Sequence, residues 1–219
     1  MRILIATATD LEVAPLLERM QSMPTDNTCV DTYACASHDI DVLITGVGMV
    51  ATAAWCSRAL SQWTYDFALN LGVCGSFDPF LEPGTVVHVV ADRLAELGAE
   101  DGDDFLTLEQ LRLPGESEFA NLDPPSNPGL EQLPAVTGIT VNKMHGNART
   151  IALITERFKP QVESMEGAAF MSACLIQKVP FAQVRAVSNF VERRSRESWK
   201  MTEAIHNLAV AALRIINQA

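Results

Sequence analysis

Apolar, strand-like runs alternate with segments of helical periodicity along most of the chain, and this alternation restricts the fold more than any other feature. The predicted strands cover residues 1–8, 67–73, 85–91, 136–142 and 181–188. A first helix is predicted to begin at Thr9 or Asp10. Further helices are predicted at 49–62, about 147–158, about 165–178 and about 198–217. Strands that alternate with helices predict an α/β fold with a mostly parallel or mixed sheet. No linker or internal repeat is visible, so residues 1–219 are predicted to form a single domain.

Three segments are predicted to interrupt this alternation. Residues 28–36 and 40–45 flank Ser37-His38-Asp39 and predict a β-hairpin. Residues 72–84 are rich in Gly and Pro and predict a loop. Residues 114–134 hold five of the eleven prolines and predict one long irregular segment. Because irregular segments of that length are uncommon in compact domains, we expect this one to cover another part of the protein.

The composition argues against several classes of function. The 27 acidic and 16 basic residues give a net charge of −11, which disfavours nucleic-acid and anionic-membrane surfaces because both require clustered Lys and Arg. An anionic small substrate needs only one or two local cations and is not excluded. The five cysteines form no C-x-x-C pair, which favours reduced thiols in a cytoplasmic protein over disulfides or a zinc site. No apolar run approaches the roughly 18–20 residues that span a bilayer, and Asp10 and Glu12 argue against a signal peptide.

The segment Gly46-Val47-Gly48-Met49-Val50-Ala51 matches G-x-G-x-x-A between a predicted strand and helix, and Asp66 lies twenty positions after Gly46. This spacing is that of a dinucleotide-binding loop. However, the loop does not follow the first strand, and Asp66 precedes its strand instead of following it. The safer interpretation is that small residues let a helix begin close to the sheet, with main-chain N–H groups free to face a ligand hydroxyl.

Three polar segments stand where predicted strands end and helices begin, which is where α/β sheets place their sites. Thr9-x-x-Glu12 is also a capping box, so Glu12 has a purely structural interpretation. Glu163 and Glu166 flank Ser164-Met165, and a helix N-terminus alone would favour both carboxylates. Asn189 is followed by three arginines at positions 193, 194 and 196, which form a local cation patch or a solvated helix start.

Five motifs occur along the chain in this order: ILIATATDLE, TGVGMVATA, NLGVCGSF with LEPGTVV, VESMEGAAF and RAVSNF. Together they resemble the nucleoside phosphorylase and nucleosidase superfamily, especially its methylthioadenosine/adenosylhomocysteine nucleosidases. The resemblance covers residues 1 to about 190. Three segments, AELGAEDGDDFLTL, TVNKMHGN and SNFVERRSRESWKM, look closest to the futalosine-hydrolysing branch, which serves menaquinone biosynthesis. The resemblance implies a three-layer α/β sandwich with a central mixed sheet flanked by helices. It also implies a cofactor-independent enzyme that acts on a small-molecule nucleoside and forms homo-oligomers, most commonly dimers.

The resemblance also implies roles for individual residues. Glu12 matches the carboxylate that positions and activates the attacking water. Met165 and Glu166 match the pair that contacts the ribose, with Glu166 accepting hydrogen bonds from the 2′- and 3′-hydroxyls. Asn189 stands where the methylthioadenosine nucleosidases carry the Asp that protonates N7 of adenine. The remaining substrate-binding candidates are Val73, Gly75, Glu163 and Arg193.

The chemistry of Asn189 favours a 6-oxopurine. Hypoxanthine presents the acceptor O6 beside N7, and a carboxylate facing O6 would oppose two acceptors, at a cost of about 1–3 kcal/mol for an unsatisfied buried group. An Asn amide offers two donors and one acceptor, so it can pair with O6 or with an N7–H. Futalosine carries hypoxanthine. The alternative interpretation is that Asn189 marks an inactive site.

Water is the better nucleophile for such an enzyme, because the turn ATATDLE carries no Arg that would hold a phosphate. Arg193 or Arg194 is expected to pair with the benzoate that futalosine carries beyond C5′. Phe105 and the segment 114–134 are further candidates for contact with this tail, and His145 for the edge of the purine.

Three alternatives to a futalosine hydrolase remain open. The first is a methylthioadenosine/adenosylhomocysteine nucleosidase, which Asn189 disfavours. The second is a phosphate-dependent 6-oxopurine nucleoside phosphorylase, which the missing phosphate ligands disfavour. The third, from a different class, is a nucleoside-binding module without turnover, which would keep Glu166 and would not need Glu12.

Overall fold

The computed structural model describes residues 1–122 and 124–219, and for Arg196 it describes the main chain alone. The strands in these residues are β1 (Arg2–Thr7), β2 (Gln21–Met23), β3 (Asp31–Cys35), β4 (His38–Ile44), β5 (Phe67–Ser76), β6 (Val86–Leu94), β7 (Gly98–Asp101), β8 (Asp104–Thr107), β9 (Glu118–Ala120), β10 (Ala135–Thr140), β11 (Val162–Ser164) and β12 (Phe181–Phe190). The helices are α1 (Asp10–Leu17), α2 (Met49–Gln62), α3 (Leu108–Leu111), α4 (Pro128–Glu131), α5 (Ala148–Phe158), α6 (Gly167–Gln177) and α7 (Met201–Asn217), with a 3₁₀ turn at Arg196–Ser198.

The central sheet has the strand order β11-β10-β6-β12-β5-β1-β4-β3-β2, and β9 pairs with β6 at its side. Strands β4, β1, β5 and β12 run parallel to one another. Strands β6 and β10 run in the opposite direction, since β6 is antiparallel to β12 and parallel to β10. The sheet is therefore mixed, and the carboxyl ends of β1, β4, β5 and β12 meet at one edge.

The short strand β11 closes part of this sheet into a ring. It lies parallel to β10 and also antiparallel to the end of β5, where Val162 pairs with Ser76 and Glu163 with Gly75. The chain that follows β11 is thereby brought to the carboxyl end of β5. Residues that follow β11 meet residues that end β5 and β12 at this point.

Helices cover both faces of the sheet because successive side chains of the buried strands point to opposite faces. In β1, Ile3 and Ile5 belong to an apolar cluster with residues of α1 and α7. Leu4 and Ala6 belong to a second cluster with residues of α2 and α6. This arrangement gives three layers, α1 and α7, the sheet, and α2 and α6, and it confirms the expected sandwich.

Several predicted boundaries are corrected by tertiary pairing. Strand β5 continues to Ser76, so the expected loop at 72–84 begins later. The helix expected from about 165 begins at Gly167, because β11 occupies 162–164. The last helix begins at Met201, after the 3₁₀ turn. His38 belongs to β4 and not to the hairpin turn, which Ala36 forms with a φ of 53°.

The segment 114–134 is more regular than the sequence predicts. Strand β9 pairs with β6. Asn127 caps α4 by accepting from Gly129 N and Leu130 N, and its Nδ2 donates to the carbonyl of Ile215 in α7 at 2.9 Å. Position 123 lies outside the described residues. Among those described, no helix is long and apolar enough to cross a membrane.

Candidate active site

A cavity of about 320 Å³ opens at the edge where β1, β4, β5 and β12 end. Five of the residues singled out from the sequence line it, namely Glu12, Val73, Met165, Glu166 and Asn189. Much of the remaining wall is apolar and includes Leu11, Val47, Cys74, Met144, Trp199, Met201 and Ile205. A small-molecule site is typically a concavity of this size with an apolar lining and a few convergent polar groups.

The carboxylate of Glu12 serves the helix and the cavity at once. Its Oε2 accepts from the main-chain N–H of Thr9 at 3.0 Å and from the hydroxyls of Thr7 and Thr9. Its Oε1 accepts from the main-chain N–H of Val73 in β5 at 3.1 Å. The capping interpretation and the cavity position are therefore compatible, and the cap holds the carboxylate in a fixed orientation.

Glu166 is fixed from three directions just before α6. Its Oε1 accepts from the main-chain N–H of Gly48 at 3.0 Å, and its Oε2 accepts from that of Met165 at 3.3 Å. Nη1 of Arg185 lies 3.7 Å from Oε2. Glu166 is 6% exposed, so this carboxylate is held in place almost entirely by protein groups.

The glycine loop at 46–48 supports this carboxylate and has no dinucleotide-binding geometry. Gly46 and Gly48 have φ values of 80° and 100°, which side chains rarely adopt. The N–H of Gly48, expected to be free for a ligand hydroxyl, donates to Glu166. Asp66 accepts from the main-chain N–H of Arg2 at the opposite edge of the sheet, so it has a structural partner.

The buried side chain of Arg185 lies beneath the cavity and was not predicted from the sequence. Its guanidinium donates to Oδ1 of Asn70 and, through Nε, to Oε1 of Gln183 at 3.1 Å. A Cβ on Gly72 would overlap Nη1 of Arg185 and would lie 3.0 Å from Oε1 of Glu12. Gly72 therefore gives the guanidinium room to lie against β5, next to both cavity carboxylates. The available sequence signal was a charged residue inside the apolar run FAQVRAVS.

Asp92 extends this buried polar network to α6. It accepts from Nε2 of Gln183 and from Oγ1 of Thr140, each at 3.0 Å. Thr140 in turn accepts from the main-chain N–H of Ala168 in the first turn of α6 at 2.8 Å. Burial raises the pKa of Asp92 to about 6, although its hydrogen bonds and Arg185 favour the ionised form.

Asn189 lies at a break in the pairing of β12 with β5, where the register shifts between Val187 and Asn189. Such irregularities re-aim a side chain and are frequent near active sites. Oδ1 of Asn189 accepts from Oγ of Ser188, and Nδ2 donates to the carbonyl of Phe190, each at 2.8 Å. One amide hydrogen and one oxygen lone pair remain for another partner.

Glu163 and Arg193 line a second cavity of about 130 Å³, and not the first one. The two cavities are neighbours, because Met144, Asn189 and Trp199 line both. Arg194 lies in the second cavity with its Cζ 4.9 Å from the centre of the Trp199 ring. The side chain of Arg196, the third member of the predicted cation patch, lies outside what the structure describes.

Gly75, Phe105 and the segment 114–134 do not line the first cavity in the described residues. A Cβ on Gly75 would lie 2.9 Å from Cγ2 of Val191 and 3.5 Å from Nδ2 of Asn189, so this glycine leaves space for the side chains at the end of β12. Phe105 lines a separate cavity of about 580 Å³ beside α5.

The chemistry available at the first cavity is that of carboxylates and an amide. Burial raises the pKa of the Cys74 thiol to about 12, so this cysteine is a neutral wall residue and not a thiolate nucleophile. In the part of the chain that the structure describes, no cluster of three or more His, Cys, Asp or Glu side chains is suited to hold a metal ion.

Comparisons with known proteins identify the family. A family model described as "Phosphorylase superfamily" matches residues 2–217. The futalosine hydrolase of Streptomyces coelicolor is 31% identical over 96% of this chain and 93% of its own length. The 5′-methylthioadenosine/S-adenosylhomocysteine nucleosidase of Colwellia psychrerythraea is 25% identical over 97% and 92%.

The fold is also that of solved nucleosidases. A crystal structure of the 5′-methylthioadenosine/S-adenosylhomocysteine nucleosidase from Neisseria meningitidis in complex with methylthio-immucillin-A matches all of this chain and 99% of that chain, with a TM-score of 0.82 at 19% identity. The chain therefore belongs to the phosphorylase superfamily, and within it to the N-glycosyl hydrolases. The fold class and the enzyme class expected from the sequence are confirmed.

The raised pKa of Asp92 predicts a pH-dependent effect of the substitution D92N on stability. Between about pH 4 and 6 the folded protein keeps this proton, whereas the unfolded chain, with its ordinary pKa of 3.8, has lost it. The contribution of Asp92 to stability is therefore fully present below pH 4 and is lost as the pH rises through 6. D92N has no group that titrates here, so its free energy of unfolding should gain about 3 kcal/mol relative to wild type between pH 4 and 7.

Urea denaturation of both proteins at several pH values measures this difference. In D92N an amide N–H donor lies opposite the N–H donor at Nε2 of Gln183. This opposition lowers the free energy of unfolding by an amount that does not depend on pH. Parallel pH profiles of wild type and D92N would contradict the prediction.

Proposed function

We propose that this enzyme hydrolyses the N-ribosidic bond of futalosine and releases hypoxanthine and dehypoxanthine futalosine, a step of menaquinone biosynthesis. The observation that carries the proposal is the 31% identity to a futalosine hydrolase over 96% of the chain. The amide of Asn189 in the cavity wall is consistent with it, because an amide suits a 6-oxopurine. We further propose that residues 1–219 act as one nucleosidase domain and that the enzyme is a cytoplasmic homodimer. Light scattering would measure its oligomeric state.

In this proposal Glu12 orients and deprotonates the attacking water. Cleavage of an N-ribosidic bond passes through an oxocarbenium-like centre at C1′, which a nearby carboxylate stabilises electrostatically. The same carboxylate accepts the proton of the water as it attacks. The hydrogen bonds from Thr9 and Val73 hold Glu12 in one orientation and so support this role.

Glu166 and Met165 bind the ribose in this proposal. The carboxylate of Glu166 accepts hydrogen bonds from the 2′- and 3′-hydroxyls, while Met165 packs against the sugar. Arg185 and the N–H of Gly48 hold the carboxylate in one orientation. Arg185 is already engaged by Glu166, Asn70 and Gln183, which makes it a poor phosphate ligand and favours water as the nucleophile.

Asn189 selects the base in this proposal. Its remaining amide hydrogen donates to O6 or to N7 of hypoxanthine, and its remaining lone pair accepts from an N7–H. An adenine base would instead place its N6 amino donors at the position that O6 occupies in hypoxanthine. A methylthioadenosine/adenosylhomocysteine nucleosidase is the second candidate, which the relative from Colwellia psychrerythraea favours.

Release of the free base in phosphate-free buffer tests the proposal directly. Futalosine, aminodeoxyfutalosine, methylthioadenosine and inosine are compared side by side with the wild-type enzyme. We expect rapid release of hypoxanthine from futalosine. Adenine release from the amino substrates would instead assign the second candidate, and turnover only after addition of phosphate would assign a phosphorylase.

Replacement of Asn189 by Asp tests the choice of base. In N189D a carboxylate faces O6, and one unsatisfied buried acceptor at about 1–3 kcal/mol lowers kcat/KM for futalosine by about 5- to 150-fold. Adenine release from aminodeoxyfutalosine should rise in the same variant. N217D, at an exposed position on the last helical turn, is the matched control. Equal changes on both substrates would contradict the role of Asn189.

We propose that Arg193 binds the benzoate beyond C5′ through a charge-assisted hydrogen bond. R193Q should then raise KM for futalosine by about 10-fold or more, since such contacts contribute roughly 1.5–3 kcal/mol when partly buried. KM for inosine, which lacks the tail, should stay within twofold. The exposed Arg58 on α2 provides the control R58Q. A similar loss on both nucleosides would refute the assignment.

A further inference from the structure

His145 and Glu163 form a tightly coupled pair that the roles above leave unused. Nδ1 of His145 lies 2.6 Å from Oε2 of Glu163, and the main-chain N–H of His145 donates to Oε1 at 3.0 Å. The side chain of Glu163 is 1% exposed and that of His145 is 10% exposed. Because both oxygens of Glu163 accept from His145, the carboxylate fixes the position of the ring.

The pair lies beside the residue that we propose to select the base. His145, Glu163 and Asn189 line the same small cavity, which adjoins the cavity of Glu12 through Met144, Asn189 and Trp199. A Cβ on Gly75 would lie 3.5 Å from Nδ2 of Asn189 and 3.6 Å from Cγ of Glu163, so the two side chains flank one glycine. Within the described residues, Nε2 of His145 has no hydrogen-bond partner.

A proton would assist departure of the purine, and Asn189 cannot supply one. As the C1′–N9 bond breaks, its electron pair moves to the base, and protonation of the ring makes the base a better leaving group. An amide donates a hydrogen bond but does not transfer its proton. Arg193 and Arg194 also line the small cavity, but a guanidinium does not deprotonate in proteins. Glu192 is exposed there, without a described partner that would orient it.

We propose that His145 is the general acid of the reaction and that Glu163 is its positioning residue. In this step Nε2–H of protonated His145 transfers its proton to the purine ring while the C1′–N9 bond breaks. Water adds to C1′ and gives a proton to Glu12. Hypoxanthine then leaves as a neutral molecule, and a proton returns from Glu12 to His145 through solvent. The carboxylate of Glu163 holds Nδ1–H, which leaves Nε2 as the ring nitrogen that faces the substrate.

This inference rests on the proposed function for the identity of the base, but it applies to any purine nucleoside that the enzyme hydrolyses. The variants are therefore compared on the nucleoside that the wild-type enzyme cleaves fastest in the panel above. A wild-type enzyme that releases no hypoxanthine from futalosine refutes the proposed function alone. Variants of His145 and Glu163 with unimpaired activity refute the general-acid role alone.

The test combines truncation of His145 with rescue by a free acid. H145A should lower kcat by about 10²- to 10³-fold, the range of general acid catalysis, with KM within threefold of wild type. Added imidazole should restore kcat at least 10-fold, because the truncated side chain leaves room beside Asn189. H206A, which truncates an exposed histidine of α7, should keep the wild-type kcat and show no response to imidazole.

E163Q tests the positioning role separately. Its amide keeps the shape of the side chain but removes the charge that holds Nδ1–H, so kcat should fall at least 10-fold with KM unchanged. E156Q, at an exposed position on α5, is the matched control. Thermal denaturation shows whether each variant is folded, and if E163Q is not, H145A decides. A kcat of H145A within threefold of wild type, or a loss that imidazole does not reduce, overturns the proposal.

Discussion

The buried guanidinium of Arg185 is the charge on which the arrangement of the site depends. It lies in the middle of the sheet, paired with Glu166 and hydrogen-bonded to Asn70 and Gln183. A buried charge that loses its partner costs about 3–5 kcal/mol, so each of these groups holds the others in place. Gly72 follows from the same constraint, because any side chain there would occupy the space of Arg185.

The site carboxylates are rigid because each also completes the fold. Glu12 caps α1 while it binds the main chain of β5, and Glu166 joins the loop before α2 to the start of α6. A carboxylate whose hydrogen bonds are already formed needs no reorganisation when a positive charge develops in the substrate, and this preorganisation is a main source of electrostatic catalysis. The cavity wall beside the two carboxylates is apolar, which strengthens their electrostatic interactions.

Much of the fold was predictable from local patterns. Helix α2 has the predicted bounds, and the long strands were all found, because buried strands and amphipathic helices produce strong periodic signals. The short strands β9 and β11 were not found, since three residues have no measurable period and their partners lie far away in the sequence. Pairing with β6 likewise turned part of the Pro-rich segment into regular structure.

The sequence by itself determined the α/β class and, through the order of its motifs, the residues that meet in the main cavity. Motif order carries this information because Glu12 and Glu166 follow the ends of β1 and β11, and Asn189 is the second-last residue of β12. Only the tertiary structure decided which polar groups share a buried network and which are free. Arg185, Asp92 and His145 acquired their partners through strand pairing, which joins Gln183 to Asp92 and brings Glu163 to the end of β5. Such contacts depend on register between distant segments, and register is set by the packing of the whole sheet.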